Sequence, residues 1–292
     1  MSSVAEIRHH IKVVEDTSKI TRAMYLISSS KMKKAMRMHD QNLVFFNEAR
    51  SAIRYIIEHT EEEITNPYYR SHGPNTGYIV IAGDKGLCGG YNQEVLHLAE
   101  KVIAQTEREN KSIIAIGHMV SDYFMHKGIT ADMHYLHVIQ NPTLQNARRI
   151  TTDICSMFRS KQLDQVYIIY TVLEKMGTTR PAVMRLLPIL KEDFEDAHAF
   201  RGGEGTLLFH PSAAEALDSV VPHYLVGQVY SALAQSYASE HSARMFAMDA
   251  ATRNAEEMLD DLRLSFNHVR QTMITQEITE IISGDPDFGG EI

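Results

Sequence analysis

The chain has 292 residues, 44% of them hydrophobic and 23% charged, with a formal net charge of −8. That size allows one large or two ordinary domains, and the acidic balance argues against a general nucleic-acid binder. No run of about 20 apolar residues offers a membrane-spanning helix, the first residues lack the apolar core of a secretory signal, and two cysteines, Cys88 and Cys155, are too few for a disulfide framework or a cysteine-based zinc site.

The expectation is a soluble, cytoplasmic polypeptide with structural thiols. From Met1 to Asn66 there is neither glycine nor proline. Apolar and small residues recur there at steps of three and four: Val4, Ile7, Ile11, Val14, Ser18, Thr21, Tyr25, Ser28, Met32 and Ala35. This spacing predicts one long helix with a heptad seam. A second row, Ile20, Met24 and Ile27, widens the stripe. Residues 1–40 carry eight Lys or Arg against four acids, a basic face suited to an acidic partner or a membrane surface, or simply a solvated one.

The middle of the chain changes period. Gly77–Ala82, Ser112–Gly117 and Val166–Thr171 read as short buried strands, with Arg185–Leu190 as a candidate fourth. Helical patterns lie near 91–109 and 142–160. Strands alternating with helices predict a parallel α/β sheet. The stretch Lys191–Leu217 reads as a loop and return path. From Gln228 to Ser283 glycine and proline are again absent, and Ala255, Met258, Leu262, Phe266, Val269, Met273 and Gln276 form an apolar row on an otherwise charged helix. Each end segment could reach roughly 85–100 Å as a helix. Helices of that length need cover along their length, and each is the other's nearest candidate. The expected fold is α/β: an antiparallel coiled coil of the two ends around an inserted parallel-sheet domain.

Few motifs carry chemistry. GDKGLCGGYN, residues 83–92, follows the first strand, where a glycine-rich loop cradles phosphates in nucleotide-binding folds. Its spacing matches neither GxGxxG nor GxxxxGK[ST], so tight turns and a close backbone contact are the preferred reading. His134 and His137 have metal-compatible spacing without further ligands. His9 and His10 point to different sides of a helix. No catalytic residue, cofactor or metal site is expected.

Four segments carry a resemblance: KITRAMYLISSSKMKKA (19–35), GDKGLCGGYN (83–92), SEHSARMFAMDAATRNAEEM (239–258) and ITQEITEIISG (274–284). In this order and at these distances they resemble the gamma subunits of F-type ATP synthases over essentially the whole chain. The resemblance implies a coiled coil at residues 1–66 and 222–284 and a Rossmann-like inserted domain at 77–217. It implies a central rotor shaft that couples ion flow to conformational changes in the catalytic beta subunits and has no catalytic site of its own. The implied partners are the alpha and beta subunits, the epsilon subunit and the membrane ring of c subunits, with no nucleic acid. By motif, Met24, Lys31, Lys33, Lys34, Arg244, Gln276, Glu277 and Thr279 match positions of subunit contact.

The chain departs from the family pattern at Asp16, at Ser28 and Ser29, and in the acidic ending GDPDFGGEI. A mobile tail is expected at 285–292. Without a transit sequence, a bacterial chain on the cytoplasmic face of the cell membrane is expected. Two alternatives remain open at this point: a nucleotide-dependent enzyme built on the inserted domain, and a gamma-like scaffold that has lost rotation.

Overall fold

The computed structural model describes residues 4–60, 67–71, 73–107, 110–174, 178–195, 197 and 212–284, with the side chains of 280, 283 and 284 outside that description. The expected mobile tail at 285–292 lies outside the described residues. The elements in chain order are α1 (Val4–His59), β1 (Thr76–Ile81), α2 (Tyr91–Ile103), β2 (Lys111–Ile116), α3 (His118–His126), β3 (Met133–Tyr135), α4 (Leu144–Arg159), β4 (Gln165–Leu173), β5 (Thr179–Leu187) and α5 (Ala213–Gly284). They divide into two units: residues 1–27 with 245–292, and residues 28–244. Helices α1 and α5 contribute to both.

In the first unit α1 and α5 run antiparallel. Thr21 and Thr252 hydroxyls meet at 2.7 Å, the Arg263 guanidinium lies 3.1 Å from the Glu15 carboxylate, and Arg8 sits over the Phe266 ring. As residue numbers fall on one helix they rise on the other. The seam on α1 is the expected one: Ile7 and Thr21 are buried, and Val4, Ile11, Val14, Ser18 and Tyr25 are half-buried. The second row differs, because Ile20 and Ile27 are exposed. On α5 the row also shifts. Leu259 is buried while Met258 is 53% exposed, so the seam runs Met248, Thr252, Ala255, Leu259, Leu262, Phe266, Val269, at alternating steps of four and three. A step from 255 to 258 and then to 262 places 258 on the shoulder of the seam. Past Val269 the seam ends, and among the described residues every one from Arg270 to Thr279 is exposed.

The second unit is three-layered. Its five-stranded sheet has the order β3-β2-β1-β4-β5, with β1 parallel to β2 and β4, β2 parallel to β3, and β5 antiparallel to β4. β3 and α3 carry too short a signal to read from sequence, since three residues of strand and nine of helix fix no period. The strand expected at Arg185–Leu190 is β5, Thr179–Leu187, and it returns as a hairpin on β4. Alternation along β1 builds two cores. Tyr78, Val80 and Ala82 pack with α2 and α3 through Val95, Leu96, Ala99, Val120 and Phe124. Ile79 and Ile81 face the side of α4, together with Phe46, Ile53 and Ile56 of α1 and Leu217–Ala234 of α5.

Helix α5 begins at Ala213, inside the stretch expected as loop, and passes through Pro222 and Gly227. Packing outweighs local preference here: Leu217, Val221, Leu225, Val229 and Leu233 are fully buried. Gly227 has a specific purpose. A Cβ at this position would lie 2.3 Å from Cδ1 of Phe46, so the missing side chain lets α1 and α5 close on each other. Glycine to alanine inside a helix ordinarily stabilises by about 1 kcal/mol. Here Gly227→Ala is expected to destabilise by about 1–3 kcal/mol through overpacking, with Phe46→Leu relieving part of the loss, as read by urea unfolding of the full chain.

Candidate functional site

A cluster of buried polar residues lies where α5 crosses the ends of β1 and β4. In a doubly wound sheet, ligands bind outside the carboxyl ends of the strands, where neighbouring connections leave in opposite directions. β1 connects toward β2 and has β4 on its other side, so that crevice falls between the glycine-rich loop and the end of β4. It is filled by α5. Ser236 and Ser239, both fully buried, hold Thr171 of β4: the Thr171 amide donates to Ser236 Oγ at 3.4 Å, and Ser239 Oγ donates to the Thr171 carbonyl at 3.2 Å. The Tyr91 hydroxyl, from the start of α2, donates to the Ser236 carbonyl at 3.0 Å.

The loop itself is braced from within. Asn92 accepts from the Gly83 amide at 2.9 Å and donates to the Lys85 carbonyl at 3.2 Å. Asp84 accepts from the His118 amide at 2.9 Å and from Gln140 at 2.8 Å. Leu87 takes a left-handed conformation, φ 61°, and Gly89 another, φ 58°. The Gly83 amide is thus turned to the protein's own acceptor, and the side chains of Asn92, Asp84 and Gln140 brace the loop as a structural clasp.

Arg244 completes the cluster. It is 8% exposed. Its guanidinium donates to Glu240 Oε1 at 2.7 Å, to the Gly86 carbonyl at 3.0 Å and to His241 Nδ1 at 3.3 Å. Arginine only donates, so His241 accepts at Nδ1 and is the neutral Nε2–H tautomer. Burial pushes the His241 pKa down to about 3, and the charges of Arg244 and Lys31 add to the shift. Burial raises the Glu240 carboxyl, against the pull of Arg244. The i,i+4 spacing puts Glu240 and Arg244 on one face of α5, and Lys31 of α1 is close enough to act on both Glu240 and His241.

Of the residues singled out by resemblance, Lys31 and Arg244 both exert their charge on Glu240 and His241. Lys33 and Lys34 are exposed on α1 in the same unit, Met24 is half-buried in the other unit, and Gln276, Glu277 and Thr279 stand on the exposed end of α5. The His134–His137 pair is split: His134 Nδ1 meets Ser121 Oγ at 2.8 Å, while His137 leans toward Asp84 at 3.9 Å. Among the described residues no three His, Cys, Asp or Glu side chains are grouped to hold a metal. Sequence reasoning passed over Ser236, Ser239, Glu240 and Asn92. The available signal was a run of alanine and serine from Ser231 to Ser242 with one i,i+4 ion pair, the pattern of a helix buried on all sides.

A family model described as ATP synthase matches residues 3–285. The chain is similar to the ATP synthase gamma chain of Ruminiclostridium cellulolyticum, 36% identical over 291 residues that cover 97% of this chain and 98% of that one. The chain belongs to the ATP synthase gamma chain family. It is also similar to the sodium ion specific gamma chain of Acetobacterium woodii, 33% identical with 97% of each chain covered. Among solved structures, a rotational state of the Euglena gracilis mitochondrial ATP synthase contains a chain with the same fold, at TM-score 0.63 and 15% identity, covering 96% of this chain and 93% of that one. A central stalk chain from the Tetrahymena thermophila mitochondrial ATP synthase aligns at TM-score 0.57 and 21% identity, over 80% of this chain and 99% of that one. A member of this family is one subunit of an enzyme complex, and no helix among this chain's described residues is long and apolar enough to cross a membrane.

The His241 shift has a consequence for pH. As pH falls through the usual histidine range near 6.5, the unfolded chain takes up a proton that the folded chain refuses until about pH 3. Stability from this group is present above that range and is lost on acidification. Glu240, with its carboxyl raised, acts in the opposite sense. His241→Asn is therefore expected to lose less stability than the parent between about pH 7.5 and about pH 5, by about 2 kcal/mol, as measured by denaturant midpoints at the two values.

Proposed function

We propose that the chain is the central rotor shaft of its ATP synthase, converting ion flow through the membrane sector into sequential conformational changes of the catalytic beta subunits. The observation that carries this reading is the end of α5. Beyond Val269 the helix continues past the seam, and from Arg270 to Thr279 every side chain is exposed among the described residues. Met273, Ile274, Ile278, Ile281 and Ile282 are apolar and exposed there, beside Gln276, Glu277 and Thr279. A solvated helix of this length is marginal by itself, and an alpha and beta subunit head around it would supply the missing contacts.

The physics of the task fits these side chains. A rotor performs no bond chemistry. It shifts each beta subunit only through contacts that differ between orientations. Amides, charges and scattered apolar groups on a helix give orientation-dependent contacts without a continuous apolar lock. Met24, Gln276, Glu277 and Thr279 are proposed to face the alpha and beta subunits, and Lys31, Lys33 and Lys34 to meet acidic beta-subunit segments. The epsilon subunit and the c ring are the proposed partners at the membrane side, which places the chain as a peripheral protein on the cytoplasmic face of a bacterial membrane. The crevice filled by α5 favours this role over an enzyme built on the inserted domain.

Reconstituting the chain with its own alpha, beta, delta and epsilon subunits on stripped membranes tests the reading. ATP-driven ion pumping that requires the chain is the expected result. ATPase activity without pumping would instead leave a scaffold that no longer couples. In the same assay Lys33→Gln with Lys34→Gln is expected to lower pumping roughly twofold to tenfold, with a weaker salt dependence than the parent. Unchanged pumping would remove the basic patch from the mechanism.

A further inference from the structure

The family resemblance assigns Arg244 to contact with a neighbouring subunit, yet its guanidinium is committed inside its own chain. We propose that Arg244 and Glu240 are positioning residues: they hold the glycine-rich loop against α5 and so fix how the loop's exposed tip, Lys85–Leu87, is presented to neighbouring subunits. The coupling part of this proposal rests on the rotor reading above.

Three observations carry it. The first is the division of labour on the loop. Asn92 braces Gly83, Lys85 and Cys88 from below, through its bonds to the Gly83 amide, the Lys85 carbonyl and Cys88 Sγ. The segment between Lys85 and Cys88 bulges outward, and Arg244 reaches it from α5 through the Gly86 carbonyl. The second is the state of the bulge. Leu87 is 66% exposed and holds φ at 61°, a conformation that costs a non-glycine residue energy and persists only where its surroundings hold it. A Cβ at Gly86 would meet nothing within 4 Å, so side-chain packing does not hold that residue. The third is charge. Arg244 and Glu240 are both buried. If the guanidinium swung out to a neighbour, the buried Glu240 would lose its hydrogen-bonded cation, and the burial that already raises its carboxyl would act unopposed by that partner, a costly arrangement. One guanidinium nitrogen, Nη2, donates both to Glu240 and to the Gly86 carbonyl and so ties the loop's position to that of the helix.

The test uses the assembled complex, in which amide hydrogen exchange at Asp84–Gly90 is read beside ATP hydrolysis and ion pumping. Arg244→Ala is expected to speed exchange of the loop amides about tenfold or more and to lower the ions pumped per ATP hydrolysed. Arg244→Lys, which keeps the charge and one of the two bonds, is expected to restore part of both. Glu240→Gln guards against a folding failure of the alanine variant, because it preserves shape and an acceptor. It is expected to loosen the same amides to a smaller degree. Lost pumping in Arg244→Ala with unchanged loop exchange would overturn the proposal in favour of direct contact. A loosened loop with undiminished pumping would also overturn it, leaving a brace with no part in coupling. If the parent chain itself supports no pumping, the rotor reading fails, while loop exchange in the variants still decides whether the clamp exists.

Discussion

Helices of 56 and 72 residues must find apolar cover along their length, because propensity alone does not stabilise them in water. This constraint shapes both units. In the unit formed by the chain ends, α1 and α5 cover each other along a narrow seam that includes Ser18, Thr21 and Thr252, so the pair is close but not deeply apolar. In the sheet-bearing unit the same two helices meet at Phe46 and Gly227 and also receive one face of the sheet. Past Val269 the helix keeps apolar residues that stand exposed among the described residues.

The second organising feature is a sheet whose ligand crevice is occupied. An α/β sheet of this order would ordinarily leave room at the carboxyl ends of β1 and β4. Here Ser236, Ser239, Glu240 and Arg244 of α5 occupy that place, bonding the Thr171 amide and carbonyl and the Gly86 carbonyl. A nucleotide-type fold thereby becomes a mount for a helix. The energetic logic is that of a buried polar network: the loss of one member leaves the others with an unmet desolvation cost.

These two features belong together functionally. A part that transmits force needs a rigid junction between its helix and its body, and needs surfaces elsewhere that make graded, orientation-dependent contacts. Under the proposed rotor role, the buried Arg244–Glu240–Gly86 junction would meet the first need, and the exposed end of α5 with the basic residues of α1 the second. The family to which the chain belongs gives that combination its context as one subunit of the ATP synthase.

The sequence by itself determined the long helices, the α1 seam and the three central strands, because hydrophobic period and the absence of glycine and proline act locally over many residues. It also carried the family, through four motifs in register. What it could not determine was where packing overrides local preference. Helix α5 runs through Pro222 and Gly227 because the sheet and α1 bury it, and the seam passes through Leu259 rather than Met258 because the phase of a heptad is set by the partner helix. β3 and α3 are too short to carry a period. The role of Arg244 was decided by tertiary structure alone: only the fold brings the Gly86 carbonyl, 158 residues away in sequence, within hydrogen-bonding reach of the guanidinium.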